Sequence, residues 1–261
     1  MGPLAWIVLF CLLVGVLSVV AAGLFLLLPQ PLRARLLPHL ISFATGALLG
    51  AAFLALLPHA LETAGEGDAH QVTFAVLLGL LGFFVMEKLV LWRHCHHIEC
   101  EAHHAREADE HHSGVAGPLI VVGDAVHNLI HGVLIAAAFL VDIHLGIVTS
   151  LAVMAHQIPQ ELSNFAVLLH SGFNRARALV LNVISSLTAP LGGVIGYFGL
   201  KGVEWLMPYM LAIAVSSCIY IAVADLIPGL HKRTELSASM QQVALICSGV
   251  LIIYLTHLLL H

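Results

Sequence analysis

Apolar residues recur along this chain in runs of about twenty, long enough to cross a bilayer as helix. The runs cover 4–28, 37–61, 72–93, 116–140, 145–170, 177–200, 204–228 and 239–260. Connections are short except for residues 94–115. The pattern predicts an all-α membrane protein of eight transmembrane helices, read as one transmembrane domain over 1–261. The N-terminal run lacks the basic start of a signal peptide and is too long for its apolar core, so it is read as a retained first span.

Two neighbouring runs break the apolar pattern. One reads GDAVHNLIHGVLIAAAF, from Gly123 to Phe139, and the other MAHQIPQELSNFAVLLH, from Met154 to His170. Polar groups at that depth are expensive in lipid and need partners or a function. Helical spacing of three, four and seven puts Asp124, His127, Asn128 and His131 on one face of the fourth span. On the fifth span it groups His156, Gln160 and Ser163, with Gln157, Glu161 and Asn164 as an adjacent stripe. A short turn near Asp142 joins the two spans, so they run antiparallel and their polar stripes can meet at one depth. Pro159 has no N–H to offer the Ala155 carbonyl, which leaves an oxygen beside His156. Gly46 and Gly50, and Gly192 and Gly196, have the small-residue spacing that lets membrane helices approach closely.

Composition supports the membrane reading. The chain is 60% hydrophobic and only 10% charged, against roughly 25% charged residues in soluble domains. A net charge of −5 with His neutral excludes a strongly basic nucleic-acid binder. Of the five cysteines, Cys11, Cys218 and Cys247 lie in apolar runs and read as small core residues. The ten Lys and Arg are placed unevenly. Arg33, Arg35, Lys88, Arg93, Arg106, Arg175, Arg177, Lys232 and Arg233 all fall on one side of an eight-span topology, and only Lys201 falls on the other. Basic residues collect on the cytoplasmic side, so both termini are expected to be non-cytoplasmic.

Residues 94–112 read HCHHIECEAHHAREADEHH, with seven His and two Cys among several acids. The segment has no apolar periodicity and is expected as a cytoplasmic loop. His94, Cys95, His96, His97, His103, His104, His111 and His112 are its candidate metal contacts, in an order that matches no structural zinc finger.

The two interrupted spans suggest a cation site. Two imidazoles at i and i+4 can grip one ion, a third comes from the facing helix, and an amide oxygen or water completes a tetrahedron. That arrangement suits Zn²⁺. Ligand softness also admits Cd²⁺, Fe²⁺, Mn²⁺ and Co²⁺. The candidate ligands are His127, Asn128, His131, His156, Gln157, Gln160 and Glu161.

These motifs resemble the ZIP (Zrt/Irt-like) family of divalent metal transporters. The resemblance covers nearly the whole chain. It rests on HNxxxG from His127 to Gly132, HxxPxE from His156 to Glu161, and FAVLLHSGF after it. It rests equally on SFATGALLGAAFLALLPHALE in the second span, MEKLVLWRHCHH closing the third, and YIAVADLIPGLH in the seventh. The resemblance implies a ZIP-like bundle of eight helices with both termini outside. It also implies a metal site between helices four and five, and flow of Zn²⁺ or related cations into the cytoplasm. The compact chain looks like a prokaryotic-type member of a cell (inner) membrane, in contact with lipid and with a homodimer as a candidate assembly. On this reading Glu62, Glu66 and Asp68 draw in the cation, His59 relays it, and Asp124, Asn164, Asp225 or the His-rich loop lie on its way inward.

The chain departs from the family pattern. His131 stands where a carboxylate is usual, Gln157 replaces a Glu, and Ser163 and Asn164 replace a Gly-Asp pair. A single His-dominated site is therefore expected rather than a carboxylate-bridged pair of ions. The lost carboxylates also motivate a metal-sensing or transport-impaired homologue as the alternative. An intramembrane metalloprotease would need H-E-x-x-H, and this chain reads His-Gln-Ile-Pro-Gln from His156 to Gln160.

Overall fold

A computed structural model describes residues 2–65, 68–94, 113–231 and 235–260. Among the described residues the chain forms helices and no strand. Eight long helices follow in order: α1 Pro3–Leu27, α2 Gln30–Ala64, α3 Ala69–His94, α4 Ser113–Val141, α5 Ile143–His170, α6 Arg175–Leu200, α7 Glu204–Leu230 and α8 Leu236–Leu260. Seven are long and apolar enough to cross a membrane. The exception is α5, which is 28 residues long but carries His, Gln, Glu and Asn through its middle. It packs against α1, α2, α4, α6 and α8. A helix sheathed in protein does not need an apolar outer face. Cys95, His96, His97, His103, His104, His111 and His112, together with Glu66, Arg106, Lys232 and Arg233, lie outside the described residues, and His94 ends α3.

Prolines shape several helices by withholding an amide. Pro190 has no N–H for the Ser186 carbonyl, and α6 breaks there into Arg175–Ser186 and Thr188–Leu200. Pro58 and Pro228 follow wider π turns at Ala52–Leu56 and Ile221–Leu226. The Leu57 N–H bonds to Ala52 and the Ile227 N–H to Ala222. Such turns absorb a missing bond without ending the helix.

Packing separates the helices into two layers around α4 and α5. One apolar cluster joins Ile7, Cys11 and Val14 of α1 to Ile135, Ala136 and Phe139 of α4, Val153 of α5 and Ala189 of α6. The other joins α2 and α7 to Leu134 and Ala138 of α4 and to Leu145, Val148 and Ala152 of α5. Helices α3 and α8 lie outermost, with only 6% and 11% of their apolar stretches buried. Cys247 of α8 is accordingly exposed, which corrects its reading as a core residue, whereas Cys11 and Cys218 are buried.

The two small-residue pairs act in packing. A Cβ on Gly46 would strike the Ile246 backbone of α8, and one on Gly249 the Phe43 carbonyl of α2. Likewise a Cβ on Gly192 would strike the Leu129 carbonyl, and one on Gly132 the Ala189 carbonyl. Helices α2 and α8, and α4 and α6, thus meet backbone to backbone, where dispersion contacts and not hydrophobic expulsion hold helices together in lipid.

The turn between α4 and α5 is a single residue, Asp142. Its carboxylate accepts from the N–H groups of His144 at 2.8 Å and Leu145 at 3.0 Å, which caps α5. Asp142→Ala is expected to cost about 1 kcal/mol, read as a lower midpoint of thermal unfolding in detergent. An unchanged midpoint would show that packing alone fixes the start of α5.

Candidate metal centre

Asp142 sets α4 and α5 antiparallel with almost no slack, and this fixes their register. Asn128 faces Gln157, and the Gln157 amide donates to the Asn128 Oδ1. Beside this pair, His127 and His131 of α4 meet His156 of α5. Ring centroids are 4.3 Å apart for His127 and His131, 4.9 Å for His131 and His156, and 5.9 Å for His127 and His156. One nitrogen from each ring lies within 4.8 Å of the others. Among the described residues this is the one group of three or more His, Cys, Asp or Glu so placed.

His131 and His156 are buried and His127 is half-buried. The His127 and His131 Nε2 atoms face each other at 2.8 Å, and His156 Nδ1 lies 3.3 Å from the Ala152 carbonyl. That backbone contact leaves His156 Nε2 for another partner. His156 Nε2, His131 Nδ1 and Gln160 Oε1 are buried with no hydrogen-bond partner, and Gln160 lies beside His127. Such atoms are costly unless something satisfies them. Tetrahedral Zn²⁺ holds nitrogens at ~2.0–2.1 Å and so about 3.3 Å from one another. A small rotation of one imidazole brings the closer pair to that spacing. Three neutral nitrogens and an amide oxygen make a four-ligand site of the kind Zn²⁺ accepts.

The other candidates of these two helices play different structural parts. Asn128 has both ends engaged: its Nδ2 donates to the Asp124 backbone carbonyl at 3.0 Å, and its Oδ1 accepts from Gln157. Gln157 also reaches Glu161 Oε1 at 3.4 Å. Asn164 donates to Asp124 Oδ1 at 2.8 Å. Ser163, grouped by spacing with His156, is exposed. The buried face of α5 passes through His156, Gln157 and Glu161, because α4 and α6 enclose α5 from two sides.

Two candidates lie apart from the imidazoles. His59 of α2 bonds the Ala55 carbonyl at 3.0 Å and sets its ring edge-on to His257 of α8 at 5.6 Å. Asp225 is exposed on α7, on the side of Tyr220, whose hydroxyl donates to Glu87 of α3.

Helix α6 supplies groups that periodicity on α4 and α5 did not reveal. Asn182 Nδ2 donates to the Glu161 carbonyl at 3.3 Å, and Thr188 Oγ1 donates to the Ala125 carbonyl at 2.6 Å. Ser185 lies beside Asp124. The run Asn182, Ser185, Ser186, Thr188 within an apolar span was the available signal. It is a polar stripe facing the same seam.

Comparison with known proteins agrees with the geometry. Residues 91–257 match the family model described as ZIP zinc transporter. Zinc transporter ZIP13 of Pongo abelii is 33% identical over 94% of this chain and 77% of its own length. The Homo sapiens protein of the same name is 31% identical over 94% of this chain and 80% of its length. The ZIP13 homolog of Drosophila melanogaster is 29% identical over 85% and 77%. With a family match over most of its length and a buried imidazole cluster on the helices that the motifs single out, the chain belongs to the ZIP zinc transporter family.

Proposed function

We infer that this protein carries Zn²⁺ across a membrane and into the cytoplasm, and that His127, His131 and His156, with Gln160, hold the ion at mid-bilayer. The observation that carries the reading is the three-imidazole cluster with its buried unpartnered nitrogen and amide oxygen atoms. It lies on the seam between the two packing layers. A site held on α4 and α5 can reach alternate sides if those helices shift against α2 and α7. Asn128 and Gln157 brace the seam by bonding to each other. His59 and His257 lie toward the outer ends of α2 and α8, as candidates to meet the ion earlier, and Asp124, Asn164 and Asp225 lie on the inward half. The His-rich loop, His94 to His112, is proposed to take up the released ion.

Inward direction and outward-facing termini rest on the nine basic residues on one face against Lys201 on the other. The chain acts as a single transmembrane domain in a cell membrane. Lipid covers the apolar faces of α3 and α8, and a second copy is a candidate neighbour there. Transport and not proteolysis is the activity, since Gln157 occupies the place a general base would need. Cd²⁺, Fe²⁺, Mn²⁺ and Co²⁺ are further candidate cargoes, ranked by how well they accept nitrogen ligands. A sensor or transport-impaired protein is the second reading. It is motivated by the neutral Gln157 and Asn164 and by the Asn164–Asp124 bond that ties α4 to α5.

The test is zinc uptake by the purified chain in proteoliposomes, with Cd²⁺, Fe²⁺ and Mn²⁺ as competitors, at pH 7.5 and 5.5. Uptake is expected, with Cd²⁺ competing better than Mn²⁺. An imidazole must be unprotonated to bind a metal, so protons compete and uptake falls from pH 7.5 to 5.5. Uptake equal at both pH values argues against a histidine-held ion. Binding without uptake favours the sensor.

A further inference from the structure

Helices α1 and α6 run antiparallel. Leu26 packs on the cluster that holds Ala178, Gly15 lies against Ser186, and Cys11 against Gly193. Along this line the pair leaves a groove of about 230 Å³. Its floor includes Gly15 and Ser186, which are buried. Its rims are Val16 and Val20 of α1 and Val183 and Leu187 of α6, which are exposed. The break in α6 that Pro190 causes falls at the middle of the groove, where it interrupts the straight ridge packing that would close it. The Ser186 hydroxyl is turned to the Val183 carbonyl at 3.0 Å, so the groove offers water no set of partners. A dry cavity of about 150 Å³ accepts a benzene ring, so this groove has room for a stretch of hydrocarbon chain.

Depth and charge say which chain. From Arg177 the helix rises roughly 9 Å to Val183 and roughly 20 Å to Pro190, and half of the hydrocarbon core is about 15 Å thick. The groove therefore lies at the depth of the acyl chains of the leaflet on which Arg175 and Arg177 sit. Both arginines are exposed, and the Arg177 guanidinium rests over the Phe173 ring at 5.0 Å. Neither pairs with an acid among the described residues, and no Asp or Glu occurs in α1 or α6. Unpaired basic side chains at the membrane surface attract anionic lipid. We propose that the α1–α6 groove holds one acyl chain of an anionic phospholipid, whose phosphate lies against Arg175 and Arg177. The lipid is coupled to α4 through the next residue of α6. Thr188, after Leu187, donates to the Ala125 carbonyl at 2.6 Å, and Ala125 precedes His127 by two positions. A chain seated on Leu187 thus holds the bend of α6 against α4.

Lipid titration of the full chain in dodecyl maltoside tests this, with retained lipid counted by native mass spectrometry and the thermal midpoint followed by circular dichroism. Phosphatidylglycerol and phosphatidylcholine with identical acyl chains are the probes. The wild type is expected to bind phosphatidylglycerol at least fivefold more tightly, and its midpoint to rise as that lipid is added. Val16→Phe with Val183→Phe fills the groove from its two rims, and is expected to weaken phosphatidylglycerol at least tenfold while the lipid-free midpoint holds. Leu187→Phe alone gives the same direction should that pair not stay monodisperse. Arg175→Gln with Arg177→Gln leaves the groove open and is expected to bring the two lipids within twofold of each other. Lys201→Gln, past the far end of α6, is expected to change neither. Equal binding of the two lipids by the wild type overturns the proposal. So does undiminished phosphatidylglycerol binding by the phenylalanine variants, which would place the lipid on the arginines alone. No readout involves zinc, so the result is independent of the assignment of the ion site.

Discussion

Replacing His127 and His156 together with alanine is expected to reduce zinc uptake in proteoliposomes to below about 1% of wild type. The size follows from ligand arithmetic. Altering a group that merely supports a metal ligand costs about 10–100-fold, and this variant removes two of three nitrogens outright. His131 and Gln160 remain, from different helices, with nothing to fix the ion between them. The substitutions also empty volume at a buried place, so helical content and monodispersity must be shown to survive. His70→Ala is the matched control, because His70 is exposed near the start of α3, and it is expected to leave uptake unchanged. Full uptake by the double variant would remove the site from the imidazole cluster.

The helical class was legible because bilayer thickness dictates run length, and each of the eight runs became a helix. The imidazole face was legible because polar residues spaced three and four apart share one side of an apolar helix, and at that depth they need partners. The fine assignment within α5 was less legible. Spacing put Ser163 with His156 and Gln160, but the buried face runs through Gln157 and Glu161. Which stripe points inward depends on how α1, α2, α4 and α6 surround α5, and periodicity on α5 alone does not encode that. The contribution of α6 was hidden for a related reason. Asn182 and Thr188 reach the seam only because a proline breaks that helix and glycines bring it against α4. Nothing in the pattern of the eighth span connects His257 to His59, and only the packing of α8 on α2 brings the two rings together.

The packing of α4 on α6 carries the other large expected effect. Gly132→Ala is expected to lower the thermal midpoint in detergent and to reduce zinc uptake at least tenfold. Its single added methyl would meet the Ala189 carbonyl and the Gly193 amide. Both are backbone, so no side chain can swing aside. Overpacking of this kind costs about 1–3 kcal/mol when the surroundings can shift. Here the shift available is a parting of α4 from α6, which strains the Thr188 bond to Ala125. Gly132 also follows His131 directly, so the displacement reaches the imidazoles as well as the fold. Gly199→Ala on the same helix pair is the contrast. A Cβ at Gly199 meets nothing within 4 Å, and alanine is the better helix former by about 1 kcal/mol, so its midpoint should hold or rise. If Gly132→Ala melts and transports as wild type, close backbone approach is not what positions the imidazole face of α4. The burden would then fall on Asp142, on the α5 seam and on the apolar cluster of Ile135, Ala136 and Phe139.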